Sequence, residues 1–142
     1  MGFKNENLEN VEAKDLMIGD WVLIDTYPEK VKLIGETLIK VWNRDDSIDV
    51  DDVLPIPLTA EILEKNGFKV RNRYIWEQRD DSCCVKVSIA PNIEIDGEIL
   101  DEHPPVLLEA DDVLFSFNVI VEYVHDLQFA MRLCGVEKEI IL

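Results

Sequence analysis

The segment YVHDLQFAMRLCG, residues 123–135, contains the side chains best suited to chemistry, because it sets a histidine, a glutamine and an arginine on one side of a predicted helix. At about 100° per residue, that side collects His125, Gln128, Phe129 and Arg132. A histidine in such a position could serve as the general base of a hydrolase. The same side could instead be a solvated surface, or His125 could bridge neighbouring elements as a structural residue.

A hydrolase built on His125 would also need a nucleophile or a metal ion that converges on it. Cys134 follows His125 by nine residues and lies about 180° round the helix, towards the predicted core. It is therefore not the partner of His125 within the helix. A pairing of His125 with Cys83 or Cys84 stays open.

The cysteines and histidines lack the spacing of a metal site or a disulfide framework. The chain contains five such residues, which are Cys83, Cys84, Cys134, His103 and His125. No Cys-x-x-Cys or His-x-x-x-His pair is present, and the odd number of cysteines disfavours disulfides. The aspartate-rich segment that starts at Asp45 has Val50 and Ile56 where an EF-hand needs glycine and glutamate. We predict reduced buried thiols, no metal, no cofactor and no assigned catalytic residue.

The charge of the chain is its most unusual compositional property. Thirty acidic residues stand against 14 basic ones among 142, a formal net charge of −16. Residues 45–64 and 92–112 contain no lysine or arginine. Direct binding to nucleic acid is therefore disfavoured, because Lys and Arg drive that binding. The acidic surface could attract a basic protein partner, could imitate DNA and inhibit a DNA-binding enzyme, or could serve solubility alone.

The length fits a single domain, 1–142, with a possible subdivision into 13–56 and 57–142. No run approaches the roughly 18 apolar residues of a membrane span, and Met1 to Leu8 is too polar for a secretory signal. These features predict a cytoplasmic protein that does not bind membranes. The oligomeric state is left open.

The residue pattern of the N-terminal half predicts short strands joined by tight turns. Gly19-Asp20 precedes a strand at Trp21–Ile24, and two more strands are expected at Lys30–Ile34 and Thr37–Trp42. This arrangement is typical of an SH3-like small barrel over about residues 13–56.

The C-terminal half predicts a helix, an antiparallel sheet and a second helix. Thr59 is a suitable N-cap for a short helix over 59–66, which Gly67 would end. Four strand-like segments follow, FKVRNRYIWEQ, CCVKVSIAP, IEIDGEIL and VLFSFNVIV, with a hairpin turn at Asp96-Gly97. Pro104-Pro105 would break the sheet or lie at its edge. The second helix is expected over 122–134, and EKEIIL as a last strand. The predicted class is α+β, mostly antiparallel β with two short helices.

Two motifs carry a resemblance to a known family. PIPLTAEILEKNGF and YVHDLQFAMRLCGVEKEI, with GDWV near Trp21, resemble an uncharacterised family of small proteins from Bacteroides-like gut bacteria and their phages or mobile elements. The resemblance implies fold and genomic context, and no reaction. It also marks His125 and Gln128 as motif positions.

The favoured hypothesis is a non-enzymatic protein-binding module of phage or mobile-element origin, with a basic protein as its partner. The alternatives are a hydrolase-type enzyme that uses His125 and an acidic DNA-mimic inhibitor. Within the second helix, we expect His125 and Gln128 to bridge neighbouring elements. We expect Phe129 and Arg132 to form an outward contact pair, because interfaces favour an aromatic and a guanidinium side chain.

Overall fold

The computed structural model describes residues 11–71, 75–79, 84–89, 91–95, 98–102, 104–111 and 113–142. Its strands are paired antiparallel and accompany two short α-helices, which confirms the predicted α+β class. The chain divides into two units. The first contains Met1–Pro57 with Tyr123–His125, and the second contains Leu58–Glu122 with Asp126–Leu142.

The first unit is a four-stranded antiparallel sheet in sequential order. Its strands are β1 (Trp21–Ile24), β2 (Tyr27–Ile34), β3 (Leu38–Val41) and β4 (Ile48–Asp49). After β4 the chain returns to β1, where the backbone amides of Leu23 and Leu54 each donate to the other residue's carbonyl at 2.8 and 3.0 Å. The four strands thus form a sheet with the shape of half a barrel. The finer prediction, an SH3-like barrel, stays a prediction. Alternate side chains of these strands form the core together with three residues outside the strands, Val11, Leu16 and Val53. The strand residues in this core are Val22, Ile24, Val31, Ile39, Val41 and Ile48.

Two irregularities shape β2. Asp25 and Thr26, the two residues between β1 and β2, both have positive φ (52° and 68°), as a type I′ hairpin turn requires. The strand consequently starts at Tyr27 rather than at the predicted Lys30. Further along, the register with β3 shifts between Val31 and Leu33, so Lys32 and Leu33 both oppose one residue and both lie exposed.

The second unit is built on a five-stranded antiparallel sheet of order β11-β10-β7-β6-β5. Its strands and helices are α1 (Ala60–Lys65), β5 (Lys69–Val70), β6 (Ile75–Arg79), β7 (Cys84–Ser88), β10 (Val106–Ala110), β11 (Val113–Ile120) and α2 (Val124–Leu133), whose first residues group with the first unit. A separate hairpin consists of β8 (Pro91–Ile95) and β9 (Glu98–Glu102). Its predicted turn at Asp96-Gly97 lies outside the described residues. Within the described ranges, no helix has the length and apolar character needed to cross a membrane.

Helix α1 has the ends that its sequence predicts. The Thr59 hydroxyl accepts a hydrogen bond from the amide of Ile62 at 3.3 Å and caps the first turn. At the other end Gly67 has a φ of 86°, and the amide of Phe68 donates to the carbonyl of Leu63 at 3.0 Å. This is the Schellman-type ending expected from glycine at that position.

One strand of the second unit was not predicted, and one predicted strand is absent. Strand β10, Val106–Ala110, lies inside the sheet between β11 and β7 and had no counterpart among the predicted strands. Pro104-Pro105 directly precedes it and belongs to no strand. The C-terminal EKEIIL segment forms no strand. The backbone of this segment instead bonds to the side chain of Asn66. Asn66 Oδ1 accepts from the Ile141 amide at 2.6 Å, and Asn66 Nδ2 donates to the Ile141 carbonyl at 2.7 Å.

Candidate functional site

Helix α2 places the four residues singled out in the sequence in different environments. His125 and Gln128 are buried, with 5% and 7% of their surface exposed. Phe129 is exposed, and Arg132 is half-buried. The helix therefore buries a wider arc than one apolar stripe, and the four residues do not form a single solvated face.

The His125 ring lies against an aromatic neighbour. Its centroid is 5.8 Å from that of Tyr123, and the two ring planes differ by 5°, which is a stacked arrangement. Such a pair contributes packing energy beyond the burial of the two rings. Both residues belong to the first unit, and the geometry fits a structural role for the imidazole.

The two motifs of the sequence meet through their backbones. In the first unit, Pro57 of PIPLT forms an antiparallel bridge with Tyr123 of YVH, and the Val124 amide donates to the Ile56 carbonyl at 2.8 Å. In the second unit, the Leu58 amide donates to the carbonyl of Glu122 at 3.0 Å. The motif residues thus share a structural task, the pairing of two distant chain segments.

A pocket of about 210 Å³ lies between β11 and α2, within the second unit. Its walls, which we call the helix–strand pocket, are formed by Phe115, Val119, Ile120, Asp126, Phe129, Ala130, Leu133 and Cys134. Most of these side chains are apolar, yet Ile120, Phe129 and Leu133 have 59%, 46% and 72% of their surface exposed. Contiguous apolar surface of this kind, unlike single exposed apolar residues, marks interaction sites and ligand-binding grooves in proteins.

Acidic groups border this pocket. Asp126 is part of its wall, and the Asp111 carboxylate is near enough to act on Cys134. Burial raises the pKa of the Cys134 thiol above its ordinary value, and the charge of Asp111 raises it further. The thiol is therefore held neutral, and it contributes to the wall as a small apolar group rather than as a nucleophile.

The second described cysteine lies in a network of charges on the five-stranded sheet. Cys84 Sγ is 3.4 Å from Arg79 Nη2 and 3.6 Å from Glu77 Oε1. Burial, followed by the charge of Glu109, raises the pKa of the Cys84 thiol. Cys83 and His103 lie outside the described residues. Among the residues that the structure describes, no three His, Cys, Asp or Glu side chains form a group that could hold a metal ion.

Of the exposed residues in the pocket wall, only Phe129 is among the candidate site residues predicted from the sequence. Leu133 follows Phe129 by four positions, so the two are neighbours on the helix surface and could have been paired from sequence. Val119 and Ile120 were assigned to a strand, but their position beside α2 depends on how strand and helix pack. That packing is not encoded in any local pattern.

Fold and site together define an α+β protein whose candidate site is an apolar, acid-bordered pocket. No family model matches this chain, and no curated protein or solved structure is significantly similar to it.

Proposed function

We propose that this protein is a cytoplasmic, non-enzymatic protein-binding module, and that its helix–strand pocket receives apolar side chains from a basic segment of its partner. The observation that carries the proposal is the exposure of Ile120, Phe129 and Leu133 round an apolar pocket. The origin of the protein in a phage or mobile element is also part of the proposal, and it rests on the motif resemblance.

The size of the pocket supports a side chain as its occupant. A volume of about 210 Å³ is below the roughly 300–1,000 Å³ of typical small-molecule sites. Protein interfaces, in contrast, obtain much of their binding energy from a few large side chains that enter small apolar pockets. Phe129 is an aromatic anchor of the kind that such interfaces favour.

Charge supports a basic partner. Asp126 in the pocket wall and Asp111 near Cys134 put carboxylates beside the apolar surface. The net charge of −16 adds a negative field that attracts a cationic segment over roughly one Debye length of 8–10 Å. A partner segment that alternates apolar residues with lysine or arginine would match both properties.

Neither His125 nor the two described thiols favour the enzyme alternative. His125 is buried against Tyr123, and the described thiols, Cys84 and Cys134, have raised pKa values that disfavour the nucleophilic thiolate. The DNA-mimic alternative rests on net charge alone.

The proposal is tested by differential capture from host lysate. The tagged full chain, a Phe129→Ala/Leu133→Ala variant and a Leu114→Ala control are compared by quantitative mass spectrometry. Leu114 is 75% exposed on β11 and is not part of the pocket wall, so its variant controls for the loss of an exposed leucine. A true partner should be retained by the control and lost from the double variant.

The captured partner then allows a quantitative measurement. Removal of an interface anchor costs about 1–2 kcal/mol, so Kd should rise about 5- to 30-fold for Phe129→Ala. Association should also slow as salt increases. If Kd is the same for the double variant and the control, the pocket is not the binding site and the proposal fails.

A further inference from the structure

The first unit has an exposed surface whose chemistry is opposite to that of the chain as a whole. We call it the lysine–tryptophan face. Its members Lys32, Leu33, Lys40 and Trp42 are exposed, and Trp21 and Lys30 are half-buried. Trp42 has 60% of its surface exposed and Leu33 has 52%. An exposed aromatic and aliphatic surface among three lysines is unexpected on a protein with a net charge of −16.

Strand pairing brings these residues to one side of the sheet. Lys30 pairs with Trp21 across β1 and β2, and on its other side the Trp42 amide donates to the Lys30 carbonyl at 3.1 Å. The bulge in β2 adds Lys32 and Leu33, which both oppose Lys40 on β3. Regular alternation would have turned one of these two side chains towards the core.

Two lysines of this face, Lys32 and Lys40, differ from Lys14 and Arg44, which are other described cations of the first unit. Lys14 forms an ion pair with Glu12 at 3.1 Å, and Arg44 pairs with Asp25 and Glu29 at 3.2 and 3.5 Å. Within the described ranges, by comparison, neither Lys32 nor Lys40 forms an ion pair with a carboxylate. This face therefore retains cationic groups that a bound anion could engage.

Two of the three ammonium groups, those of Lys30 and Lys32, lie over tryptophan rings. Lys30 Nζ lies 5.3 Å from the centre of the Trp21 ring, and Lys32 Nζ lies 4.9 Å from the centre of the Trp42 ring. These cation–π contacts restrain flexible side chains and so lower the entropy lost when an anion binds.

We propose that the lysine–tryptophan face binds a short acidic segment of a partner polypeptide, with carboxylates on Lys32 and Lys40 and apolar side chains on Trp42 and Leu33. Carboxylates can accept hydrogen bonds from the ammonium groups where they lie. Stacked nucleic-acid bases would have to displace the same ammonium groups from the ring faces. A long polyanion would also be repelled by the net charge of −16, whereas a short segment brings few charges.

This surface lies wholly in the first unit, whereas the helix–strand pocket lies in the second. The proposal is therefore independent of the proposed function, and each can fail alone. The protein would offer one surface for a basic segment and another for an acidic one.

The experiment measures binding of labelled peptides to the full chain by fluorescence anisotropy. The probe is a short peptide in which glutamate alternates with leucine, and the comparison peptide has lysine in place of glutamate. The variants are Lys32→Gln, Lys40→Gln and Trp42→Leu. Lys65→Gln, an exposed lysine at the end of α1, is the control with the same change of charge.

We expect the glutamate peptide to bind, with Kd raised about threefold by each lysine substitution on the face and unchanged by Lys65→Gln. Trp42→Leu should weaken binding at least as much, while none of the variants should change binding of the lysine peptide. Absence of binding up to about millimolar peptide overturns the proposal, as does equal weakening by Lys65→Gln. Tighter binding of single-stranded oligothymidylate, lost in the same variants, would assign the face to nucleic acid instead.

Discussion

Replacement of His125 by alanine tests whether this motif residue is structural. The ring is 95% buried and stacked on Tyr123, and a stacked aromatic pair contributes about 0.5–1.5 kcal/mol. Loss of a buried polar ring adds about 1–3 kcal/mol, while the better helix propensity of alanine returns about 0.5 kcal/mol. The net expectation is a loss of about 2 kcal/mol of unfolding free energy. For a chain of this length, that loss of unfolding free energy corresponds to a fall of about 6 °C in Tm.

Urea and thermal unfolding at neutral pH measure this loss directly. Leu133→Ala is the control on the same helix, and it should change stability by no more than about 0.5 kcal/mol, because Leu133 is 72% exposed. His125→Phe keeps a ring that can stack on Tyr123 and should lose less stability than the alanine variant. An unchanged Tm for His125→Ala would refute the structural interpretation and would return this residue to the list of functional candidates.

Three further predictions concern single side chains. Thr59→Ala should lower unfolding free energy by about 1 kcal/mol, whereas Thr59→Ser should preserve it, since only the serine hydroxyl can still accept from the Ile62 amide. The hydrogen bond from Arg71 lowers the pKa of Glu77 below its ordinary 4.5, so the stability that Glu77 contributes is present above that pH and is lost as pH falls towards the folded-state pKa. In the Glu77→Gln variant, the unfolding free energy should therefore fall less steeply as the pH is lowered. Identical acid unfolding curves for the variant and the original chain would contradict this. Because burial raises the pKa of Cys134, iodoacetamide at about pH 8 should label it more slowly than an exposed cysteine, as peptide mass mapping would report.

Local signals were sufficient to predict the helices and the first strand. Thr59 and Gly67 mark the ends of α1 through contacts within a few residues, and β1 occupies the predicted Trp21–Ile24. Helix α2 lies within the predicted 122–134. In each of these cases, the pattern that marks the element lies within a few residues of it, although β1 also pairs with Leu54.

The features that escaped prediction depend on longer-range or less usual contacts. The β1–β2 turn uses Asp25-Thr26 without glycine, and the bulge at Lys32 breaks the alternation on which strand prediction relies. Strand β10 is stabilised by neighbours on both sides, although two prolines precede it.

The candidate site was predictable only in part. Phe129 was recognised as an outward contact residue, but a helical wheel assigns His125 to the same side, and His125 is buried. The wheel assumes that one stripe of a helix is covered, whereas α2 is covered over a wider arc. The partners of Phe129 in the pocket wall come from β11, and their proximity depends on tertiary packing.

The backbone bridge between Pro57 and Tyr123 has a consequence for the timing of synthesis. The strands of the first unit pair with their sequence neighbours, so β1–β4 can assemble as soon as the ribosome releases them. Tyr123 emerges 66 residues after Pro57, which at 5–20 residues per second is a delay of about 3–13 s. During that interval the carbonyl of Ile56 lacks the amide of Val124, to which it is bonded in the finished protein. A nascent chain halted before Tyr123 should therefore expose the segment round Ile56 and Pro57 to proteases and chaperones.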